Sequence, residues 1–229
     1  MRVLVLGAGK TGKLVASVAH EHGHSVHVLD ASENRNAAAL TAPFVAGFDV
    51  IIDFTTPEAA VQNMRACLAN GSKMVVGTTG WYDKLPDAKA QAERRGASLL
   101  YGTNFSVGMQ LMLKMAASMA AELKRAGYTL KISETHHTSK LDAPSGTALN
   151  LQDVVRKAVD GDEVPIESIR DGEAVGLHVL EASGPADRIL LTHEAGSRRS
   201  FAEGAVRAAE WLAGSRPGVY DFHDIYEKM

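Results

Sequence analysis

The segment ETHHTSKLDAPSGT, residues 134–147, holds the side chains of this sequence best suited to binding an anion and moving a proton. His136, His137 and Lys140 are followed within it by a Ser-Gly-Thr turn. A lysine ammonium stays charged near neutral pH unless it is buried, so Lys140 can stabilise developing negative charge and then supply a proton. Because neighbouring side chains of a strand point to opposite faces, either a turn begins here or only one histidine acts.

The residues after this segment have the spacing of an amphipathic helix. Ser145 or Thr147 can cap that helix, and the amides near Gly146 and Thr147 then point towards an anion. Together with Lys140 and at least one histidine, these groups predict a trap for a carboxylate. The alternative interpretation of the same residues is purely structural, a capped helix preceded by surface histidines. The apolar positions on which the helix prediction depends are Leu149, Leu151, Val154, Val155 and Ala158.

Two other chemistries fit the segment poorly. A catalytic zinc site would need an H-E-x-x-H pair on a helix or a nearby thiolate, and neither is present, so no metal is expected. Serine hydrolysis is disfavoured because Ser145 lacks the G-x-S-x-G elbow.

With a hydride donor, the same residues suit reduction of an anionic substrate. Hydride addition to a C=C or C=N bond leaves negative charge, which Lys140 can stabilise and protonate.

A hydride donor is predicted by the motif GAGKTG, which follows the first strand-like run and opens a helix. Gly7 permits a tight turn, Gly9 lets backbone amides approach a pyrophosphate, and Gly12 allows close packing of helix and strand. Asp30, after the next strand, can accept hydrogen bonds from an adenosine ribose and would repel a 2′-phosphate. The sequence therefore favours NADH, and Arg35 offers an alternative partner for the phosphate of NADPH.

From Met1 to about Asn104, short β-branched runs alternate with helical patterns, which is typical of parallel βαβ units. The fold class is therefore predicted to be α/β, with a Rossmann-like doubly wound parallel sheet. Such sheets bind ligands beyond the carboxyl ends of their strands, and glycines or hydroxyl side chains follow all the predicted strands. These strands are Val3–Leu6, Ser25–Leu29, Asp49–Asp53, Lys73–Val76 and Ala97–Tyr101.

The pattern changes after Asn104 to that of a second, α+β domain. Strands follow a long amphipathic helix there, and they predict an open mixed sheet, mainly antiparallel and flanked by helices. A last helix, Phe201–Ala213, is expected to return to the first domain. We predict a dinucleotide-binding domain over residues 1–106, completed by 203–229, and a substrate-binding and oligomerisation domain over 107–202. The second domain is expected to contain a helix at Met109–Arg125 and strands at 128–133, 163–170, 176–181 and 188–193.

The composition is that of a globular protein, because 45% of the 229 residues are hydrophobic and 22% are charged. A net charge of -3 leaves no excess of basic residues for a phosphate backbone. We therefore expect a small ligand and neither nucleic acid nor a membrane as a partner. The early apolar run is too short for a membrane span or a signal peptide, and Cys67 is the only cysteine. A cytoplasmic location is expected.

Further stretches of the sequence are DFTTPEAA, VVGTTG, NFSVGM, IRDGEAVGLHVL, HEAGSRRSFAEGA and PGVYDFHDI. Together with GAGKTG and ETHHTSKLDAPSGTA, they resemble the dihydrodipicolinate reductase family, the 4-hydroxy-tetrahydrodipicolinate reductases of bacterial and plant lysine and diaminopimelate synthesis. The likeness spans essentially the whole chain.

The resemblance implies an NAD(P)H-dependent reduction of dihydrodipicolinate, or of its precursor 4-hydroxy-tetrahydrodipicolinate, to tetrahydrodipicolinate. Lys140 matches the proton donor of the family, and His136 matches the histidine that assists it. Lys140, His137, Gly146 and Thr147 match the positions that hold the carboxylates of the substrate. The positions matched to cofactor binding are Gly7, Ala8, Gly9, Lys10, Thr11, Gly12, Asp30, Phe54, Thr55, Gly77, Thr78, Thr79, Asn104, Phe105, Ser106 and the hinge residue Arg198.

The resemblance also implies a homotetramer joined through the sheets of the second domains. Domain closure is expected because hydride transfer requires short approach and exclusion of water, with hinges near 104–108 and 197–203. One alternative is another two-domain reductase, such as an aspartate or homoserine dehydrogenase, which would not need the lysine and Gly-Thr carboxylate trap. The other is a nonenzymatic redox sensor, which would be expected to lose the ionisable groups of residues 136–140.

Overall fold

The computed structural model describes all residues from Met1 to Met229, and the chain forms two compact units. The first unit contains Met1–Ser106 and Arg199–Met229, and the second contains Val107–Arg198. From the sequence, the return to the first unit was expected at residue 203. The chain returns instead at Arg199, because the last long helix begins there. By length and hydropathy, every helix falls short of what a membrane crossing needs.

The first unit contains a six-stranded parallel sheet. With elements numbered along the whole chain, its strands are β1 (Arg2–Leu6), β2 (Ser25–Leu29), β3 (Val50–Asp53), β4 (Lys73–Val76), β5 (Ser98–Tyr101) and β10 (Gly218–Asp221). They lie side by side in the order β10-β5-β4-β3-β1-β2. The chain passes from β1 to β2 on one side and then crosses to β3 on the other, so the doubly wound sheet predicted from the sequence is confirmed. The loops after β1 and β3 meet where the strand order reverses, which is the usual ligand site of such sheets.

The sixth strand, β10, was not predicted from the sequence. Its residues are only partly buried, and it pairs with β5 alone, at the edge of the sheet. A short edge strand has neither a buried apolar run nor a strict alternation, which are the patterns from which strands are predicted.

The helices of the first unit begin and end where the local sequence favours it. Helix α3 (Pro57–Ala69) starts at Pro57, and the hydroxyl of Thr56 accepts a hydrogen bond from the amide of Ala59 at 3.4 Å. Helix α4 (Leu85–Arg95) has Gly96 as its C-cap, whose φ of 60° suits glycine. The six helices are α1 (Lys10–Glu21), α2 (Ala42–Val45), α3 (Pro57–Ala69), α4 (Leu85–Arg95), α7 (Arg199–Gly214) and α8 (Phe222–Ile225).

The second unit is a four-stranded mixed sheet with two helices. Its elements are α5 (Val107–Arg125), β6 (Thr129–His136), α6 (Gly146–Ala158), β7 (Ile166–Arg170), β8 (Leu177–Ser183) and β9 (Arg188–Glu194). The strand order is β7-β6-β8-β9, in which only β6 and β7 are parallel, so the predicted open and mainly antiparallel sheet is confirmed. Buried and more exposed residues alternate along β6, and its buried face ends in Glu134 and His136.

Candidate active site

Close backbone contacts require two glycines in the loop after β1. A Cβ atom added to Gly7, whose φ is +101°, would lie 2.2 Å from the carbonyl oxygen of Phe54. A Cβ atom on Gly12 would lie 1.9 Å from the carbonyl oxygen of Gly7. Any side chain at these positions would push α1 or the loop after β3 away. The glycines therefore keep both loops packed together where the strand order reverses.

Gly9 has a different role, because a Cβ atom there would meet no heavy atom within 4 Å. Gly9 is the N-cap of α1, and the helix has neither a side-chain cap nor an acidic residue in its first turn. The first amides of a helix lack intrahelical acceptors and carry partial positive charge. The amino end of α1 with the space at Gly9 therefore fits the pyrophosphate of a dinucleotide.

Two adjoining clefts lie along the carboxyl ends of the strands of the first unit. The larger, of about 580 Å³, contains six of the positions predicted to bind the cofactor, and the smaller, of about 400 Å³, contains eight. The clefts share Gly9, Phe54 and Thr55. The larger also contains Gly7, Ala8 and Asp30, and the smaller also contains Lys10, Thr11, Gly77, Thr78 and Thr79.

Local donors fix the carboxylate of Asp30 at the end of β2. Its Oδ1 accepts the hydroxyl of Ser32 at 2.6 Å, and the amides of Ser32 and Glu33 at 2.7 and 3.0 Å. The Ser32 hydroxyl, followed by the two amides, lowers the pKa of Asp30, so the group is an anion at neutral pH. All three bonds use Oδ1, which leaves Oδ2 for a ribose hydroxyl. Arg35 is exposed along the same cleft.

Asp53, a buried carboxylate at the end of β3, was not singled out by the sequence analysis. Its Oδ1 accepts the hydroxyls of Thr55 and Thr78, each at 2.7 Å, and its Oδ2 accepts the side-chain amide of Asn63 at 2.7 Å. Asn63 in turn accepts the side-chain amide of Asn34 at 2.9 Å. Burial raises the pKa of Asp53, and its donors oppose that rise. Because its three partners and Asn34 line the clefts, Asp53 ties together the segments after β2, β3 and β4.

Besides Gly12, which packs against Gly7, four predicted cofactor positions lie outside both clefts. Phe105 is a core residue, with its ring centroid 4.5 Å from that of Phe222. Ser106 is buried, and its amide donates to Oδ1 of Asn104 at 2.8 Å. Arg198 is half-buried at the end of the second unit. A role for these four residues in cofactor binding stays a prediction.

In the second unit, the carboxyl end of β6 places His136 in a buried polar cluster. Nδ1 of His136 contacts Oε2 of Glu134, and Oε1 of Glu134 lies 2.9 Å from Nη2 of Arg170. The ring of His178 stands edge-on to that of His136, with the centroids 5.2 Å apart. Burial lowers the pKa of His136 and lowers that of His178 to about 4. Both imidazoles are therefore neutral at neutral pH.

The two adjacent histidines have different surroundings because β6 ends between them. His136 is the last residue of the strand and is buried, whereas His137 is half-buried in the turn that follows. The amide of His137 donates to the carbonyl of Ala174 at 2.7 Å, and Oγ of Ser139 lies 2.8 Å from Nδ1 of His137. Of the two readings left open by the sequence, the turn is confirmed.

Lys140 and the start of α6 converge on one carboxylate. Nζ of Lys140 lies 2.8 Å from Oδ1 of Asp142, and the backbone N–H of Gly146 also helps to lower the pKa of Asp142. Partial burial acts to raise the pKa of Asp142, but the hydrogen bond and charge of Lys140 outweigh it, so the pKa is lowered. Nη2 of Arg170 donates to the carbonyl oxygen of Asp142 at 2.6 Å. This arrangement therefore holds an ionised carboxylate.

Helix α6 begins with Ser145 as its N-cap, one of the two caps allowed by the sequence. Its Oγ accepts the amide of Ala148 at 3.2 Å and lies 3.4 Å from Nε2 of His178. Gly146 and Thr147 are the first residues of the helix, and no acidic residue lies in the first turn. The positive end of the helix dipole thus adds to the charge of Lys140.

Models of one protein family match both units. A model described as dihydrodipicolinate reductase, N-terminus matches residues 1–105, and one described as dihydrodipicolinate reductase, C-terminus matches residues 108–226. The chain belongs to the dihydrodipicolinate reductase family. The resemblance stated from the sequence motifs is thereby confirmed.

Individual members of the dihydrodipicolinate reductase family agree with this assignment. The 4-hydroxy-tetrahydrodipicolinate reductase of Thiobacillus denitrificans is 39% identical over 198 residues, which cover 78% of this chain and 73% of that protein. The enzyme of the same name from Pseudomonas fluorescens is 33% identical, with 98% of each chain covered. A solved structure of dipicolinate-bound dihydrodipicolinate reductase from Paenisporosarcina sp. TG-14 is 25% identical, with a TM-score of 0.77 and coverage of 98% of this chain and 99% of that chain.

Membership of the dihydrodipicolinate reductase family confirms the prediction of an NAD(P)H-dependent oxidoreductase of lysine and diaminopimelate synthesis. It also removes the alternatives of an aspartate or homoserine dehydrogenase and of a redox sensor. Within the second unit, the structure brings the predicted Lys140 and Gly146 together. It adds Glu134 and Arg170, to which the sequence analysis gave no role. Glu134 precedes His136 by two positions, a spacing that would have indicated a shared strand face.

Proposed function

We propose that this chain reduces dihydrodipicolinate, or 4-hydroxy-tetrahydrodipicolinate with loss of water, to tetrahydrodipicolinate by means of NADH or NADPH. The observation that carries the proposal is the convergence of Lys140 and the amide of Gly146 on the carboxylate of Asp142. A site that holds a carboxylate of its own chain in this way is suited to hold a carboxylate of a dicarboxylate substrate.

Proton donation and binding of the substrate carboxylates are assigned to residues of the second unit. A bound reduced nicotinamide supplies the hydride to the unsaturated ring of the substrate. Lys140 donates the proton that completes the reduction, and its ion pair with Asp142 orients the ammonium beforehand. His136 assists Lys140 as a neutral imidazole, while His137, Gly146 and Thr147 hold the substrate carboxylates.

The dinucleotide is proposed to bind with its pyrophosphate at the amino end of α1, over Gly9. The fit is supported by the cradle around Gly7 and Gly12, which side chains would fill. Asp30 is proposed to bind the adenosine ribose through Oδ2, which favours NADH because its negative charge repels a 2′-phosphate. The exposed Arg35 on the same cleft allows some use of NADPH.

A homotetramer is proposed to form through the sheet face of the second unit that points away from its helices. Ile169 of β7 is 40% exposed and Leu190 of β9 is 49% exposed, and Leu177 and Val179 of β8 lie between them half-buried. Apolar side chains that share an exposed sheet face mark an interaction surface. Light scattering should report a tetramer that Leu190→Lys dissociates and that Leu149→Lys, on α6, leaves intact. A cytoplasmic location remains a prediction.

Binding of dipicolinate tests the carboxylate trap independently of turnover. In isothermal titration, dipicolinate should bind and Lys140→Gln should weaken it about 10- to 100-fold, because a charge-assisted hydrogen bond contributes about 1.5–3 kcal/mol. Lys131→Gln is the matched control, since Lys131 is an exposed lysine of β6 paired with Glu167. Equal affinity of the wild type and Lys140→Gln for dipicolinate would contradict the trap.

A further inference from the structure

Glu134 has the surroundings of a residue that orients a histidine. Its side chain is 0% exposed, and it lies two residues before His136 on the same face of β6. In the sheet register, Glu134 is opposite Ser168 of β7 and His178 of β8. The carboxylate therefore lies between strands, where a charge is retained only with specific partners.

Each carboxylate oxygen of Glu134 has its own cationic or polar partner. Oε1 lies 2.9 Å from Nη2 of Arg170, and Oε2 contacts Nδ1 of His136. Burial acts to raise the pKa of Glu134, but the neighbouring Ser168 and Arg170 outweigh burial, so the pKa is lowered. An ionised carboxylate only accepts hydrogen bonds, and Nδ1 is the ring nitrogen of His136 that contacts it, which favours the proton on Nδ1.

Gly176 determines the surroundings of the other ring nitrogen of His136. Gly176 directly precedes β8, and a Cβ atom added to it would lie 3.1 Å from Nε2 of His136 and 3.6 Å from Cε1 of His178. At 3.1 Å, the imidazole would have to shift by a few tenths of an ångström. The absence of a side chain therefore leaves room beside Nε2.

We propose that Glu134 is a positioning residue that fixes His136 as the Nδ1–H tautomer, so that Nε2 is presented to the substrate as a hydrogen-bond acceptor. Gly176 keeps the room that this acceptor needs. The inference rests on the proposed function, in which His136 assists Lys140. The other charged or titratable groups around the pair are Arg170 of β7, His178 of β8, His193 of β9 and Lys140 in the turn.

The tautomer is measured directly by NMR of the histidine ring nitrogens in isotope-labelled, ligand-free protein. The signal of His136 is assigned by its loss in His136→Gln. We expect a protonated Nδ1 and an unprotonated Nε2 near neutral pH in the wild type. A His136 protonated on Nε2 would overturn the proposal. Because no substrate or cofactor is added, this result stands or falls separately from the proposed function, which a wild type without reductase activity would overturn.

Kinetics with three carboxylate variants separate positioning from folding. Glu134→Gln should lower kcat by about 10- to 100-fold with little change in the KM for NADH, and it should mix the tautomers of His136. Glu134→Asp, which keeps the charge, should recover part of the kcat. Glu167→Gln is the matched control, because Glu167 is an exposed carboxylate on the adjacent β7 that pairs with Lys131. A Glu134→Gln protein with the kcat and pH profile of the wild type would overturn the role of Glu134 in positioning His136.

A fourth variant leaves Glu134 and Arg170 untouched, so it tests the geometry even if Glu134→Gln does not fold. Gly176→Ala should lower kcat while His136 keeps its Nδ1–H tautomer in the NMR spectrum. An unchanged kcat in Gly176→Ala, with the fold verified by circular dichroism, would show that Nε2 does not need that room and would overturn the proposed acceptor role.

Discussion

The side-chain amide of Asn63 donates a 2.7 Å hydrogen bond to Oδ2 of Asp53, a carboxylate with no exposed surface. The hydroxyls of Thr55 and Thr78 donate hydrogen bonds to Oδ1 of the same carboxylate. These donors belong to three different segments that wall the cofactor clefts. One buried acceptor therefore sets the positions of groups that are far apart in the chain.

Replacement of Asp53 by Asn tests this network. An amide would turn an N–H group towards one of the donors, so Asp53→Asn should lower the free energy of unfolding by about 1–3 kcal/mol. It should also weaken NADH binding on the order of 10-fold, measured by fluorescence titration, because the cleft walls lose their common anchor. Asp49→Asn is the control, because Asp49 is an exposed carboxylate bonded to Arg2. It should change the free energy of unfolding and the affinity for NADH only slightly. NADH affinity that survives Asp53→Asn unchanged would refute the anchoring role.

Two alanine substitutions in the glycine loop should have different consequences. Gly12→Ala places a Cβ atom 1.9 Å from a backbone oxygen, so it should lower the thermal midpoint as well as NADH binding. Gly9→Ala meets no neighbour within 4 Å, so the protein should stay folded while NADH affinity falls at least about 10-fold. Thermal unfolding and NADH titration of both variants distinguish the two effects. A Gly9→Ala protein that binds NADH normally would mean that the pyrophosphate does not lie there.

Asp30→Ala should reduce the preference for NADH over NADPH. The variant loses both the ribose acceptor and the charge that repels a 2′-phosphate, so the two values of kcat/KM should approach each other. Glu33→Ala provides the control, because Glu33 is an exposed carboxylate in the same turn, bonded through Oε2 to the amide of Asp30. If the kcat/KM ratio of Asp30→Ala equals that of the wild type, Asp30 does not select the cofactor.

Buried His178 should make the protein less stable in acid. Burial and the neighbouring His136 lower its pKa from the ordinary 6.5 to about 4, so the unfolded chain takes up this proton at a higher pH than the folded protein does. The contribution of neutral His178 to the free energy of unfolding is therefore fully present above pH 6.5. It is lost as the pH falls to about 4, which lowers the free energy of unfolding by up to ~3 kcal/mol. Urea unfolding over this range should show a smaller loss for His178→Gln than for the wild type. The exposed His20→Gln is the control, and equal losses in all three proteins would contradict the assignment.

The glycine loop was predictable because its glycines follow a strand and open a helix at the spacing of a known motif, even though Gly7 packs against the distant Phe54. Gly7 and Gly12 are needed by contacts within a few residues of a strand end, and the motif records them directly. The network of Asp53 was not predictable in the same way, since Asn34, Asn63 and Thr78 join it only through the fold. The available signal was an acidic residue at the end of the apolar run Val-Ile-Ile-Asp, a position where an unpaired charge is costly.

The substrate-binding residues of the second unit could also be predicted only in part from the sequence. The sequence located Lys140, Gly146 and the helix cap, but it could not decide between the two histidines, because that depends on the residue at which β6 ends. Arg170 and His178 reach the site from neighbouring strands, so their contribution follows from sheet register. Register across strands is set by packing of the whole sheet face rather than by any short motif.

Reduction of a cyclic imine dicarboxylate by a pyridine nucleotide, with Lys140 as the proton donor, is the activity proposed for this chain. The direct measurement is NADH and NADPH oxidation in an assay coupled to dihydrodipicolinate synthase, with wild type and Lys140→Ala side by side. We expect enzyme-dependent oxidation by the wild type, and a kcat about 10²- to 10⁴-fold lower for Lys140→Ala with cofactor affinity retained. No oxidation above the enzyme-free rate with either cofactor, or near-normal turnover of Lys140→Ala, would contradict it.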